Sequence, residues 1–288
     1  MAGTLFLVGT PIGNLEDMTM RAVRILKEAD LIAAEDTRTS RRLMDAYGIT
    51  TPLTSYHKFN EEEKGEALLH RLLNGENIAL ITDAGMPAIS DPGEILVRRC
   101  HECHVTVASV PGPSACVTAL ALSGQDTRRF VFEGFLPQDN REKKKTLERN
   151  ADETRTMIFY EAPHRLLRTL TALTEAFGED RGISICRELT KRYEEVLSMT
   201  LGEACAYYTE QEPRGEYVLV IAGKDPEQLA GEKAAVWEAM DIPSHVAHYE
   251  AQGLSRKDAM KAAAQDRGLK KRDIYKALLE AEEEEQSL

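Results

Sequence analysis

The chain has 288 residues, 42% of them hydrophobic and 29% charged, and a formal net charge of −12. Those proportions fit a globular protein long enough for two domains, and no apolar run approaches the roughly 20 residues that span a bilayer. The acidic excess argues against indiscriminate nucleic-acid binding, and five cysteines, an odd count, argue for reduced thiols over a disulfide framework.

In chain order, Thr4-Leu5-Phe6-Leu7-Val8 predicts a buried strand that breaks at the loop Gly9-Thr10-Pro11-Ile12-Gly13-Asn14, and residues 20–29 carry helical spacing. The strand Leu31-Ile32-Ala33-Ala34 ends in Glu35-Asp36-Thr37-Arg38. A helix over 40–47, a weaker strand over 53–56 and a helix from an Asn60 cap to about 73 follow. Residues 77–82 form an apolar, β-favouring run that stops at Asp83-Ala84-Gly85-Met86-Pro87. An amphipathic helix then covers 94–101, with Asp91 suited as its N-cap and Pro92 as its first residue. A strand over 105–108, the turn Pro111-Gly112-Pro113-Ser114 and a helix over 115–122, capped by Ser114, complete the series. Strands that are apolar throughout and alternate with helices predict an α/β fold with a mainly parallel sheet. Three of these strands run straight into Gly/Pro loops, at Gly9, Asp83 and Pro111, and open sheets of this kind bind ligands beyond the carboxyl ends of their strands.

Ser123-Gly124-Gln125-Asp126 is a polar break. Beyond it, strands are expected over 130–132, 156–160, 182–186, 195–199 and 217–221, with helices over 140–148, 165–177 and 201–208. Few of these strands are separated by full helices, which predicts a mixed sheet. From residue 225 the pattern is helical. A helix capped by Ser255 runs to 266, Gly268 turns the chain, and a second helix covers 270–281, an arrangement like a helix-turn-helix unit. The expected organisation is therefore an N-terminal α/β domain over 1–123, a C-terminal α/β domain over 124–224 and a helical extension over 225–288. Residues 254–279 hold eight Lys/Arg and three Asp, a net of +5, on a chain whose acidic blocks include Glu61-Glu62-Glu63 and Glu282-Glu283-Glu284-Glu285. That basic extension is either a nucleic-acid contact or a solvated helical pair.

The glycines of the first loop do not match a dinucleotide fingerprint, and neither a phosphate loop nor a nucleophile elbow occurs. Cys100-His101-Glu102-Cys103-His104 has ligand-type residues but no second pair at zinc-ribbon spacing, so no metal site is expected. The N-terminus has no basic leader followed by an apolar stretch, which makes the cytoplasm the expected compartment.

Seven segments carry a resemblance when taken in order. They are Thr10-Pro11-Ile12-Gly13-Asn14-Leu15, Glu35-Asp36-Thr37-Arg38, the stretch 82–92, Gly112-Pro113-Ser114-Ala115, Phe132-Glu133-Gly134-Phe135-Leu136-Pro137, Tyr160-Glu161-Ala162-Pro163-His164-Arg165 and Arg187-Glu188-Leu189-Thr190-Lys191. Together they closely resemble the ribosomal RNA small-subunit methyltransferase I family of the tetrapyrrole (class III) methylase fold. The resemblance implies S-adenosylmethionine-dependent methylation of a cytidine 2′-hydroxyl in the decoding region of 16S ribosomal RNA. It also implies two α/β domains with the cofactor between them, and a homodimer. Met86 stands where that family usually has Thr, and Ala162 where it usually has Ser.

By position in those motifs, the resemblance implies cofactor contacts at Pro11, Asp83, Gly85, Met86, Ser114, Ala115, Tyr160 and Glu161. Each has a structural alternative: Pro11 stiffens its loop, Gly85 supplies a positive φ, Asp83 forms a turn, Ser114 caps a helix and Tyr160 is core. A general base is open among Glu133, Glu161, His164 and Glu188. Candidate RNA contacts are Arg38, Arg41, Arg42, Lys143, Lys144, Lys145, Arg165, Lys191 and Arg192 beside the loops, and Lys270, Lys271 and Arg272 in the extension; as a group they suit phosphate contacts that position a substrate. Two rival functions are a tetrapyrrole C-methyltransferase and a non-catalytic RNA-binding or ribosome assembly factor.

Overall fold

The computed structural model describes the backbone of residues 1–286, and their side chains apart from those of residues 233 and 282–286. The acidic run at 282–285 noted in the sequence thus lies outside the described side chains. The chain divides into two compact units, Met1–Gly223 and a second beginning at Lys224.

The first unit holds two five-stranded sheets. In the first sheet the strands are β1 (Thr4–Val8), β2 (Leu31–Ala34), β3 (Leu53–Ser55), β4 (Ile78–Ile81) and β5 (Thr106–Val110). They lie in the order β3-β2-β4-β1-β5, and all are parallel. Both faces are covered, which is why β2 and β4 are apolar at every position. Alternate residues serve the two faces. Ile32, Ala34, Ala79 and Ile81 pack with Leu26 and Ile25 of α1 (Met20–Glu28) and Met44 of α2 (Thr37–Tyr47). Leu31, Ala33, Ile78 and Leu80 pack with Leu68 and Leu72 of α3 (Glu61–Leu73) and Leu96 of α4 (Glu94–Glu102).

The second sheet comprises β6 (Phe130–Phe135), β7 (Thr156–Glu161), β8 (Gly182–Arg187), β9 (Glu195–Thr200) and β10 (Tyr217–Ile221), ordered β6-β7-β10-β8-β9. Only β6 and β7 are parallel, so this sheet is mixed as its spacing predicts. One face packs on α7 (Leu166–Phe177) and α8 (Leu201–Glu210), and α6 (Asn140–Asn150) adds Leu147 to that core. The other face receives α5 (Ala115–Leu122), the helix that follows the last strand of the first sheet. Cys116, Ala119 and Leu120 of α5 pack on Ile158, Cys186, Val218 and Val220. That docking couples the two sheets, and it accounts for an eight-residue helix without a polar stripe.

One predicted cap is displaced, and two hold the cap position without a side-chain cap bond. Gly93, with φ +141°, caps α4 in place of Asp91. Asn60 makes no cap bond; its Oδ1 accepts from His57 N at 2.8 Å. Ser114 occupies the cap position of α5, but its Oγ faces Cys116 Sγ at 3.3 Å rather than a first-turn amide.

The second unit contains α9 (Pro226–Ala239), α10 (Ile242–Ala251), α11 (Arg256–Asp266) and α12 (Lys271–Gln286). Asp225, Asp241 and Ser255 cap the first three through side-chain oxygens. Val246, Ala259, Ala263, Ile274 and Leu278 form its core. His245 is fully buried there and stacks on Trp237, with ring centroids 4.1 Å apart. Its Nδ1 accepts from Arg267 Nε at 3.0 Å. No helix among the described residues is long and apolar enough to cross a membrane.

Candidate functional site

The loops at the carboxyl ends of the first sheet are joined backbone to backbone. Thr10 N donates to Gly85 O at 2.9 Å, and Gly85 N returns a bond to Thr10 O at 3.1 Å. The buried Thr10 hydroxyl donates to Thr82 O at 3.1 Å, so the loop after β1 is stitched to the loop after β4. The loop after β5 crosses the first one in direct contact. A Cβ on Gly9 would lie 2.7 Å from Gly112 Cα, so side chains at these two positions would force the loops apart. The loop after β4 also holds four residues at positive φ, namely Gly85, Ala88, Ser90 and Gly93. Two of these are not glycine, and strained backbone of this kind clusters at ligand sites.

Beneath these loops lies a cavity of about 530 Å³. Its walls come from both sheets of the first unit. Ile12, Asp83, Gly85, Met86, Ser114 and Ala115 form one side, and Tyr160, Glu161, Ala162 and His164 at the end of β7 face them. Seven of the eight residues to which the motifs assign cofactor contact therefore border one cavity. Pro11 is not on its wall; its neighbour Ile12 is.

One wall is acidic. Glu35 Oε2 accepts from Thr82 Oγ1 at 2.7 Å. Asp83 Oδ1 accepts from the amide of Asp36 at 3.2 Å, and Asp36 is paired with the exposed Arg38 at 2.7 Å. Burial raises the Asp83 carboxyl above its ordinary range, and the nearby charges of Glu35 and Asp36 add to the rise. Asp91 is pushed up to about 6, first by burial and then by the charges of Glu35 and Asp83, with the neighbouring Thr82 hydroxyl opposing the rise. The sequence motifs single out Asp83 but assign no role to Glu35, Thr82 or Asp91. The signal for Asp91 is hidden because Asp-Pro-Gly before a helix reads as a cap, whereas the cap is Gly93 and Asp91 borders the cavity.

The opposite wall is fixed by Tyr160, whose hydroxyl accepts from Cys116 N at 3.1 Å and so ties β7 to the first turn of α5. Phe132 and Phe135 meet its ring edge-on at 4.9 and 5.6 Å. Burial raises the Tyr160 hydroxyl well above the usual phenol range, so it is a neutral group at physiological pH. Glu161 borders the cavity, but its side chain is fully buried. Oε1 accepts from Ala162 N at 2.8 Å and Oε2 from Thr169 Oγ1 at 2.5 Å. Its oxygens are thus committed to holding the β7 turn.

The other base candidates are spread apart. His164 is exposed at the wall. Glu133 pairs with Arg149 at 2.6 Å and does not border the cavity. Glu188, at φ +51°, accepts from Lys191 Nζ at 2.9 Å and from Glu216 N at 3.0 Å, also off the wall.

The basic candidates occupy several surfaces. Arg38, Arg41 and Arg42 begin α2 and are exposed. On α6, Lys144 and Lys145 are exposed and Lys143 is half-buried. Arg165 donates to Leu136 O at 2.7 Å, and Lys191 bridges Glu188 and Glu216. Arg192 lies 5.6 Å from the Tyr193 ring. Lys270, Lys271 and Arg272 are exposed in the second unit. Among the described residues, no group of three or more His, Cys, Asp or Glu is arranged to hold a metal ion.

A twin-sheet α/β unit of this kind is the fold of a family of methyl-transferring enzymes. Residues 4–205 match the family described as Tetrapyrrole (Corrin/Porphyrin) Methylases, and the chain belongs to it. Its fold is shared with cobalt precorrin-4 methyltransferase of cobalamin biosynthesis (TM-score 0.57, 17% identity, covering 76% of this chain and 94% of that one). It is shared as well with uroporphyrin III C-methyltransferase from Thermus thermophilus (TM-score 0.56, 17% identity, 76% and 97%).

Sequence places the chain more narrowly, in the group called ribosomal RNA small subunit methyltransferase I. It is 47% identical to the Bacillus subtilis (strain 168) member over 96% of this chain and 94% of the relative. Identity is 49% to that of Halalkalibacterium halodurans, over 95% and 93%, and 42% to that of Escherichia coli O157:H7, over 96% and 95%.

Proposed function

We propose that the protein transfers a methyl group from S-adenosylmethionine to the 2′-hydroxyl of a cytidine in the decoding region of small-subunit ribosomal RNA. The observation that carries this reading is the cavity bordered by Asp83, Met86, Ser114 and Tyr160, on a chain 42–49% identical to enzymes named for that RNA. In this reading residues 1–123 and 124–224 supply the two walls, and 225–288 an RNA-contacting extension.

The residues present fit the proposed cofactor. A volume of about 530 Å³ lies within the range of small-molecule sites. Ile12, Met86 and Ile89 offer apolar surface for a purine, and the acidic wall suits ribose hydroxyls and a cationic ligand. When bound, S-adenosylmethionine supplies a methyl group already activated by its sulfonium centre.

The chain's own work is then to hold two reactants in line, which supplies several kcal/mol through proximity alone. The stitched loops keep Asp83 and Met86 in fixed places. Tyr160, by anchoring α5, keeps Ser114 and Ala115 opposite them. The hydroxyl proton needs an acceptor, and Asp91 is the group on the wall with the right character. It is mostly ionised at neutral pH, yet more basic than an ordinary carboxylate. The substrate nucleotide has to be splayed from its stack to bring a 2′-oxygen into the cavity. The proposed enzyme is a cytoplasmic homodimer, and sedimentation of the purified protein tests the oligomeric state.

The decisive experiment maps ribose methylation on ribosomal RNA from cells lacking the gene, with and without the protein restored. One decoding-region cytidine should lose and regain its mark. An unchanged map, or a mark on a tetrapyrrole in its place, defeats the proposal.

A further inference from the structure

The turn between β3 and α3 presents an aromatic ring that the fold does not use. Phe59 is 95% exposed, while the residue three positions earlier, Tyr56, is completely buried. The turn is nevertheless rigidly held. His57 N donates to Asn60 Oδ1 at 2.8 Å, and Asn60 N donates to His57 O at 2.8 Å. The Asn60 amide group also donates to Ser55 Oγ at 3.4 Å. An exposed phenyl ring on a mobile tip is common on protein surfaces, but this ring is carried on a turn closed by its own hydrogen bonds.

The turn is tied to the cavity rim as well. Glu61 Oε1 accepts from Gly93 N at 3.0 Å, which joins the first residue of α3 to the loop that carries Asp91. Tyr56 N donates to Ala34 O at 2.7 Å, so residues 57–59 leave the sheet beside the end of β2, where Glu35 and Arg38 begin the acidic wall and α2. Phe59 is therefore carried at the carboxyl edge of the sheet on which the cavity opens.

Its neighbours are of both signs, because Glu62 and Glu63 in the first turn of α3 are exposed directly after it. The His57 ring meets Phe59 at 6.2 Å and 63°, and His57 Nδ1 is buried without a hydrogen-bond partner. Lys58 is exposed, and Arg38, Arg41 and Arg42 are exposed on α2, which starts from the adjacent strand. An exposed aromatic ring, with the exposed cations Lys58, Arg41 and Arg42 to offset the acids beside it, on a protein whose overall charge is −12, matches an unpaired nucleobase with its phosphates. Bases stack on such rings irrespective of sequence, and basic side chains follow the backbone.

We propose that Phe59, flanked by His57 and Lys58, is a stacking platform for an unpaired nucleotide of the RNA substrate, which holds the strand while a nearby ribose enters the cavity. This rests on the reading of the protein as an RNA methyltransferase and goes beyond it by naming a separate contact for the strand.

The test compares Phe59→Ala, Phe59→Leu and Phe59→Trp, at a position too exposed to affect folding. Stacking of one base is worth ~1–3 kcal/mol, or roughly 5- to 150-fold. Phe59→Ala and Phe59→Leu should both raise KM for ribosomal small subunits about tenfold, with kcat and S-adenosylmethionine affinity unchanged, and Phe59→Trp should restore the wild-type KM. A photo-reactive benzoyl-phenylalanine at position 59 should cross-link to ribosomal RNA. The platform is refuted by a wild-type KM in Phe59→Ala, by full activity in Phe59→Leu, or by cross-links to ribosomal protein only. Absence of methylation by the wild-type enzyme sinks the parent reading instead, and the cross-link still reports on the platform.

Discussion

Replacing Asp91 with asparagine separates the two consequences of burying a carboxylate at the cavity wall. The Asp91 carboxyl is raised from near 4 to about 6. Full conversion of two pH units would correspond to about 3 kcal/mol. Asp91 is only half-buried, however, and solvent screening reduces this to about 1 kcal/mol. A carboxylate with a raised folded-state value favours the folded protein only while protonated. Its contribution is complete below the unfolded value near 4 and is lost as pH rises through about 6. At pH 7.5 the ionised Asp91 thus weakens the fold, and Asp91→Asn removes that cost. The variant should melt about 2–4 °C higher than wild type at pH 7.5, with the advantage shrinking towards pH 5. Catalysis should move the other way. Loss of a general base typically costs 10²–10⁴-fold, and the acidic limb of the rate profile near pH 6 should disappear. Thermal melts from pH 5 to 8, with single-turnover methyl transfer over the same range, read both effects. Wild-type turnover in Asp91→Asn would remove Asp91 from the chemistry. A melting advantage as large at pH 5 as at pH 7.5 would show that its ionisation is not what burdens the fold.

Asp83→Ala should weaken S-adenosylmethionine binding in calorimetry while leaving the circular-dichroism spectrum intact, and unchanged affinity takes Asp83 out of the site. Gly9→Ala places a Cβ 2.7 Å from Gly112 Cα; it should lower stability by about 1–3 kcal/mol, as overpacking does, and weaken cofactor binding with it, which chemical denaturation and calorimetry would show together. In the second unit, burial and Arg267 lower the His245 value below the usual 6.5, opposed by Asp266. The unfolded state therefore takes up the proton first. The unit should be most stable above pH 6.5 and lose stability as pH falls below it. Fluorescence of Trp237, the single tryptophan, reports this directly, and a pH step that survives in His245→Gln places the titrating group elsewhere.

Much of the fold follows from local pattern. β1 and β2 have the bounds that their apolar runs indicate, because a strand covered on both faces has little freedom in composition. The loops after β1, β4 and β5 are legible for a related reason. Glycine at 9 and 112 and prolines at 11, 87 and 111 mark the chain reversals wherever the sheet ends. The side chains within those loops are less legible. Asp91 and Ser114 have the composition of helix caps, yet Asp91 lies outside the cap position and Ser114, which holds it, makes no side-chain cap bond. Glu133, Glu161 and Glu188 look alike as candidate bases until their partners are known, and those partners come from Arg149, Thr169 and Glu216.

The sequence by itself determined the order of strands and helices, the parallel and mixed character of the two sheets and the loops that gather at one edge, because these follow from hydrophobic period and from the φ preferences of glycine and proline. Only the tertiary structure decided that α5 crosses to the second sheet, that Tyr160 anchors its first turn from 44 residues away, and that Glu35, Asp83 and Asp91 share one wall. Proton affinity depends on burial and on neighbouring charge, and both are fixed by distances in space, not by spacing along the chain.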